Sequence, residues 1–405
     1  MIRLPVPARL ASSAVALVAA VGVTACGGGS PSAAPGSPAP TSDSPAASDA
    51  VTGRTIRIEM TDAGCPPLPA TIAAGPVTFA IVNKDATKSS EAELVQGDRI
   101  LGEKENLTPG LSASFSLELA AGDYEVYCPG ATTERSPFTV TAASAAPSGA
   151  VASPATDAAL AAALRAATVG YATYVRQEVA DLVAATASFA AAVETGDIEA
   201  AKALYPAARI PYERIEPVAE RFGDLDPAID IRIADVEDPA TWTGFHRLER
   251  ALWVDKDLTG MTPIARQLVT DIGRLQTLVE AAEYQPAQLA NGASELLDEV
   301  AMSKVTGEEE AYSRIDLVDF AANIDGAKSA FELLRPGLEL VDPALASTIT
   351  ARFGDVATAL ATYREGSGYI TYDRLSQADV RDLSAAVAAL AEPLAQVAAK
   401  VVHGS

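Results

Sequence analysis

The stretch Ser136–Val175, SPFTVTAASAAPSGAVASPATDAALAAALRAATVGYATYV, changes character twice, and the fold class rests on how it is read. SPFTVTA alternates apolar and polar side chains at the two-residue period of a strand. Residues 143–157, ASAAPSGAVASPATD, keep no period and have the small-residue and proline composition of a linker. From Ala158 alanine and leucine recur at helical spacing, and an apolar face persists as far as Gly196-Asp197. A β region therefore ends near residue 142 and an α region begins near 158.

Upstream of this switch, residues 51–142 hold further strand-like runs: RTIRIEM, GPVTFAIVN, EAELVQGDRIL with a turn at Gly97-Asp98, SASFSLEL and AAGDYEVYC. Short strands separated by Gly, Asn, Asp and Pro predict a small all-β sandwich or barrel. Downstream, helices are expected near 197–222, 241–254, 262–283, 286–304, 307–334, 343–364 and 376–402. Breaks fall at sequences such as LDPAID and LRPGLELVDP, and the whole forms an up-and-down all-α bundle over 158–403. RFGD occurs at Arg221 and again at Arg352, a trace of duplication too short to lean on.

At the other end of the chain, Arg3 and Arg9 precede the apolar run LASSAVALVAAVGV, which closes on VTAC and then GGGS. That is a secretory signal over residues 1–25, too short for a comfortable membrane span. Small residues before a cysteine resemble a bacterial lipobox, in which Cys26 becomes the lipidated first residue; the other reading is an ordinary signal with an incidental cysteine. Residues 26–50, rich in Gly, Ser, Pro and Ala, would tether the folded part to the outer face of the membrane. No later stretch approaches a transmembrane length. The formal net charge is -23 from 53 acidic and 30 basic residues. Such a chain does not bind nucleic acid by charge, but it attracts cations.

The chain has two histidines, and only His246 lies in the interior of the sequence. In TGFHRLERALW it stands three residues before Glu249, and residues three apart share a helix face. An imidazole and a carboxylate on one face suit zinc or iron, or else form a surface salt bridge. Glu213 and Glu216 repeat the spacing in a proline-interrupted helix, and a Glu-x-x-Glu facing a His-x-x-Glu is one way bundles build inward-pointing metal sites. The β region contains no histidine, which argues against a blue-copper site. Its Cys65 and Cys128 either form a disulfide or ligate a metal.

YERIEPVAERFGDLDPAID, TGFHRLERALW, DEVAMSKVTGEEEAYSRIDLVDFAANIDGAKSAFELLRPGL and TYDRLSQADVRDLSAAVAALAEPLAQV together resemble the imelysin-like domain of EfeO-type iron-uptake proteins, over essentially all of 160–402. DAGCPPLPATIAAGPVTFAIVN, GEKENLTPG and GDYEVYC resemble the small cupredoxin-like domain that precedes it. The resemblance implies extracytoplasmic capture of ferric or ferrous iron for a membrane permease, with a haem peroxidase as a further partner. It carries the metal site onto His246, Glu249, Glu213, Glu216 and Asp230, and onto Glu309 among three consecutive glutamates. In the β domain it suggests Cys65, Cys128 and Glu91 as ligands for copper or iron, and zinc fits the same set. The family is also catalogued with peptidases, but no second histidine is present for a His-Glu-x-x-His site. The expectation is a binding protein and not an enzyme. The competing readings are an imelysin-type metallopeptidase and a surface lipoprotein that binds a protein partner.

Overall fold

The computed structural model describes residues 54–97, 99–143, 154–236 and 238–403. The expected signal segment, Cys26, the expected first linker and most of the second lie outside them.

Nine strands form two sheets. β1 (Arg54–Met60), β2 (Pro67–Leu68), β4 (Gly75–Asn83) and β7 (Ser112–Leu119) pair in the order β2-β1-β4-β7. β3 (Thr71–Ala73), β5 (Ala92–Gln96), β6 (Arg99–Lys104), β8 (Gly122–Tyr127) and β9 (Arg135–Thr141) pair in the order β3-β9-β8-β5-β6. Strand alternation explains the layers: Ile56, Ile58 and Met60 on β1, and Val77, Phe79 and Ile81 on β4, all point into one core. There Phe79 stacks on Phe115 with ring centroids 5.0 Å apart. β1 and β4 run parallel, so the chain crosses to the second sheet between them.

The helical region opens with α1 (Pro154–Thr195), which begins inside the expected linker. It packs against α2 (Ile198–Glu213), α6 (Thr262–Glu280) and α8 (Asp316–Val341). α3 (Glu216–Glu220), α4 (Leu225–Asp230), α5 (Gly244–Arg250), α7 (Pro286–Glu299), α9 (Pro343–Ala361), α10 (Gln377–Leu394) and α11 (Val397–His403) complete the bundle. A short hairpin, β10 (Arg364–Glu365) with β11 (Gly368–Tyr369), separates α9 from α10.

Several expectations need correction. LDPAID, expected as a break, is the short helix α4, and the helix expected over 307–334 starts only at Asp316. The helix expected over 197–222 stops at Glu213 and restarts at Glu216. Pro217 has no N–H to give the Glu213 carbonyl four residues back, and Asn323 Nδ2 takes its place at 2.8 Å. The break expected at LRPGL is absent, because α8 runs through Pro336 with Leu334 and Leu338 both buried on the core side. Gln377–Val402, in a region where no stretch of transmembrane length was expected, is long and apolar enough to cross a membrane by composition, at mean hydropathy 1.5. Here it is divided between α10 and α11, and Leu383, Val387, Leu390, Leu394 and Val401 lie in the bundle core. The two RFGD copies differ in structure, one in the turn after α3 and the other within α9.

The β and helical regions pack on each other. Ala287 and Val402 join the β core, Asn291 Nδ2 donates to the Ser116 carbonyl at 3.1 Å, and Lys104 Nζ meets Asp298 Oδ2 at 2.8 Å.

Candidate metal centre

Five chain segments bring their polar side chains to one buried point. Glu213 closes α2, Glu216 opens α3, Asp230 closes α4, His246 and Glu249 share a face of α5, and Glu309 lies in the turn before α8. Local sequence sets these positions. Gly244 has φ +82°, and a Cβ there would lie 2.2 Å from the Ile229 carbonyl oxygen. Only glycine lets α5 start so close to the end of α4, which puts His246 beside Asp230. Gly326 performs the same service on α8, where a Cβ would lie 2.3 Å from the Arg214 carbonyl oxygen at the α2–α3 break.

His246 is 2% exposed. Its Nδ1 lies 3.3 Å from Glu249 Oε2, and its Nε2 lies 3.5 Å from Asp230 Oδ1 and 3.4 Å from Glu309 Oε1. Glu249 Oε1 accepts from the Tyr312 and Ser313 amides at 2.8 and 2.6 Å. Glu249 therefore orients the imidazole and holds the 305–315 turn as well as offering a ligand oxygen. Ligand atoms within 4.8 Å of one another fall into three overlapping groups: Asp230, His246 and Glu309; His246, Glu249 and Glu310; and Glu213, Glu216, Asp230 and Glu309. The six expected ligands of the helical domain are thus brought together, and Glu310 joins them.

Two fully buried cations that sequence reasoning missed offset part of this cluster's charge. Arg209 ion-pairs with Glu213, Asp230, Glu309, Glu310 and Asp319. Lys304 Nζ lies 3.2 Å from Glu213 Oε2, 3.1 Å from Glu216 Oε2, 3.6 Å from Glu299 Oε1 and 3.8 Å from Glu309 Oε1. Arg209 was legible as the residue four before Glu213 on one helix. Lys304 had no such signal, since it reaches the site from a π turn after α7, where the Val305 amide donates to the Val300 carbonyl at 2.9 Å.

The electrostatics follow from this crowding. Burial alone would lower the His246 pKa, but the Asp230 carboxylate, the hydrogen bond to Glu249 and the nearby Glu309 carboxylate push it up to about 10. The surrounding acids thus favour the protonated imidazole, and only the deprotonated ring can ligate a cation, so binding there is linked to proton release. Burial raises Glu309, but Lys304 and His246 outweigh it and hold that carboxyl well below the usual range. Burial raises Glu216 well above it, against the pull of Lys304. Oxygen donors with one imidazole suit a hard or borderline cation such as iron. A pocket of about 520 Å³, lined by Arg232, Trp242, His246, Glu249, Glu309 and Tyr312 among others, leads from this centre to the surface.

Among the described residues, the β region carries no comparable centre. Cys65 and Cys128 are joined in a disulfide that ties the loop after β1 to the end of β8. This structure therefore denies copper, zinc or iron the expected thiolates, because the ligating form of cysteine is the free thiolate. Glu91, the third expected ligand, is half-buried beside Glu93, with no thiolate to share a metal with.

Fold and site together define a class: a helical bundle around a buried, carboxylate-rich pocket with one imidazole, preceded by a small β sandwich. The imelysin family model matches residues 167–397, and a cupredoxin-like domain model matches residues 39–138. The iron uptake system component EfeO of Escherichia coli (strain K12) is 40% identical over 348 residues, covering 84% of this chain and 90% of that protein. The protein of the same description from Shigella flexneri matches to the same extent. A solved structure described as a putative iron-regulated protein A precursor, from Parabacteroides distasonis ATCC 8503, is 16% identical over 63% of this chain and 97% of that one, with a TM-score of 0.47. The chain belongs to the imelysin family, in the EfeO-type form that joins a cupredoxin-like domain to an imelysin domain.

Proposed function

We propose that this protein is a component of an iron-uptake system that captures iron as cargo at the His246 centre, outside the cytoplasmic membrane. The observation that carries this reading is the convergence of His246, Asp230 and Glu309 within 4.8 Å, from three separate chain segments, at the base of a pocket. The 40% identity to proteins described as iron uptake system components supports the same reading. In the finer form, Cys26 anchors the chain to the outer face of the membrane, and the cargo passes to a membrane permease, with a haem peroxidase as a further partner. The protein acts by binding and not by catalysis, since one imidazole without a His-Glu-x-x-His pair does not build the usual zinc-peptidase site.

Calorimetric titration of the purified protein with ferric nitrilotriacetate, and anaerobically with ferrous iron, tests the site. His246→Ala should weaken iron binding by roughly 100-fold or more, beyond what loss of a residue that merely supports a ligand usually costs. An unchanged affinity in that variant would sink the assignment.

A further inference from the structure

A second cavity, of about 180 Å³, lies where the β and helical regions meet. Glu103 and Glu105 line it from the end of β6, and Glu216, Glu220, Glu295 and Glu299 line it from α3 and α7. Lys104 is the one basic residue in that lining, and its ammonium is already committed to Asp298 at 2.8 Å. Glu103 is the informative residue. It is 6% exposed, it faces the cavity, and among the described residues no hydrogen bond or salt bridge reaches its carboxylate. Its cross-strand partner Glu93 is also 6% exposed. A buried carboxylate without a partner is costly, and it either takes up a proton or finds a cation.

We propose that this interdomain cavity is a second cation site, in which a hard cation with part of its water shell is held between Glu103 of the β region and Glu216, Glu220 and Glu295 of the helices. The donors are all oxygens, which selects hard cations over thiophilic ones. Among the described residues, no three of these cavity carboxylates bring ligand atoms within 4.8 Å of one another as the His246 centre does. The cation is therefore bridged partly through water, and the cavity has room for roughly six waters at ~30 Å³ each. Glu216 belongs to both places: it lines this cavity and is part of the Glu213, Glu216, Asp230 and Glu309 group. Lys304 stands between the two, 3.1 Å from Glu216 Oε2 and 3.6 Å from Glu299 Oε1. The cavity is thus placed as a staging post beside the His246 centre. The assignment also gives the β region a part in cation handling that its disulfide-bonded cysteines do not supply. It stands on its own observation and does not require His246 to bind iron.

Manganese(II), a hard and redox-stable cation, serves as the probe, counted by electron paramagnetic resonance and calorimetry on the purified protein. The wild type should bind two equivalents of different affinity. Glu103→Gln combined with Glu295→Gln should weaken one class by at least tenfold and leave the other; His246→Ala should do the reverse. Both glutamines remove crowded negative charge, so the double variant should melt no lower than wild type without manganese, while losing part of the manganese-induced rise in Tm. The proposal is overturned if the double variant keeps wild-type stoichiometry and affinity, or if the wild type binds a single equivalent that His246→Ala abolishes. Loss of one equivalent in the double variant with none lost in His246→Ala would uphold this site and sink the other.

Discussion

Around Arg209 and Lys304 the buried carboxylates of the helical domain are answered by cations from the chain itself, whereas among the described residues no ammonium or guanidinium ion-pairs with Glu93 or Glu103 of the β domain. The contrast separates two meanings of a buried acidic cluster. One is a network whose acids meet cations of the chain itself, even where single atoms such as His246 Nε2 and Asp319 Oδ1 keep no hydrogen bond. The other is a store of unfavourable charge that awaits a proton or a cation. Burying an ion costs several kcal/mol unless partners and hydrogen bonds surround it, so the first arrangement holds its shape and the second responds to conditions.

The largest expected effect comes from breaking the charge-paired network. Arg209→Met leaves five carboxylates facing one another and should lower the stability of the metal-free protein by about 3–5 kcal/mol at pH 7, read by denaturant unfolding. A variant as stable as wild type would erase the distinction between the two regions. Next comes the cross-link of the β domain. Cys65 and Cys128 are 63 residues apart in sequence, so replacing both with alanine should cost about 4 kcal/mol of that domain's stability. Iron stoichiometry should not change; a lost equivalent would return the cysteines to the ligand set. The smallest effect is a pH dependence that sharpens the comparison. Burial, then the charge of Glu91, pushes Glu93 up to about 8 against the opposing pull of Arg135. The folded state thus holds a proton that the unfolded state releases near pH 4.5, and stability falls as pH rises from there to about 8. The metal-free wild type should lose roughly 1–3 kcal/mol between pH 5 and pH 8, and Glu93→Gln should flatten that slope. Glu309 has the opposite sign: its depressed pKa gives stability that is present above the ordinary carboxylate range and lost on acidification.

The change from strands to helices near residue 150 was legible because a two-residue period and a helical period cannot be confused over such lengths. The His246–Glu249 pair was legible for the same reason, as a spacing within one helix. The Glu213–Glu216 pair was recognised for an incomplete reason. The two residues straddle a helix break that Pro217 imposes, and they reach the same point through a register that only Asn323 and Gly326 of α8 explain. Among the three consecutive glutamates, sequence could not choose. Glu308 is exposed, while Glu309 and Glu310 turn inward, a difference set by the turn after Lys304 and not by composition. The disulfide and the thiolate site were equally compatible with two cysteines in a small β domain, and only the spatial approach of the sulfurs separates them. The contacts of the β sandwich with α7 and α11 left no periodic signal at all.

One carboxylate grips both the imidazole, through Oε2, and two amides of the 305–315 turn, through Oε1. Glu249 therefore works as a rivet. If a docking protein pulls that surface turn outward, the ring it fastens and the Glu309 oxygen opposite must shift with it. Unloading would then begin with a tug on the exterior and need no change in acidity or valence.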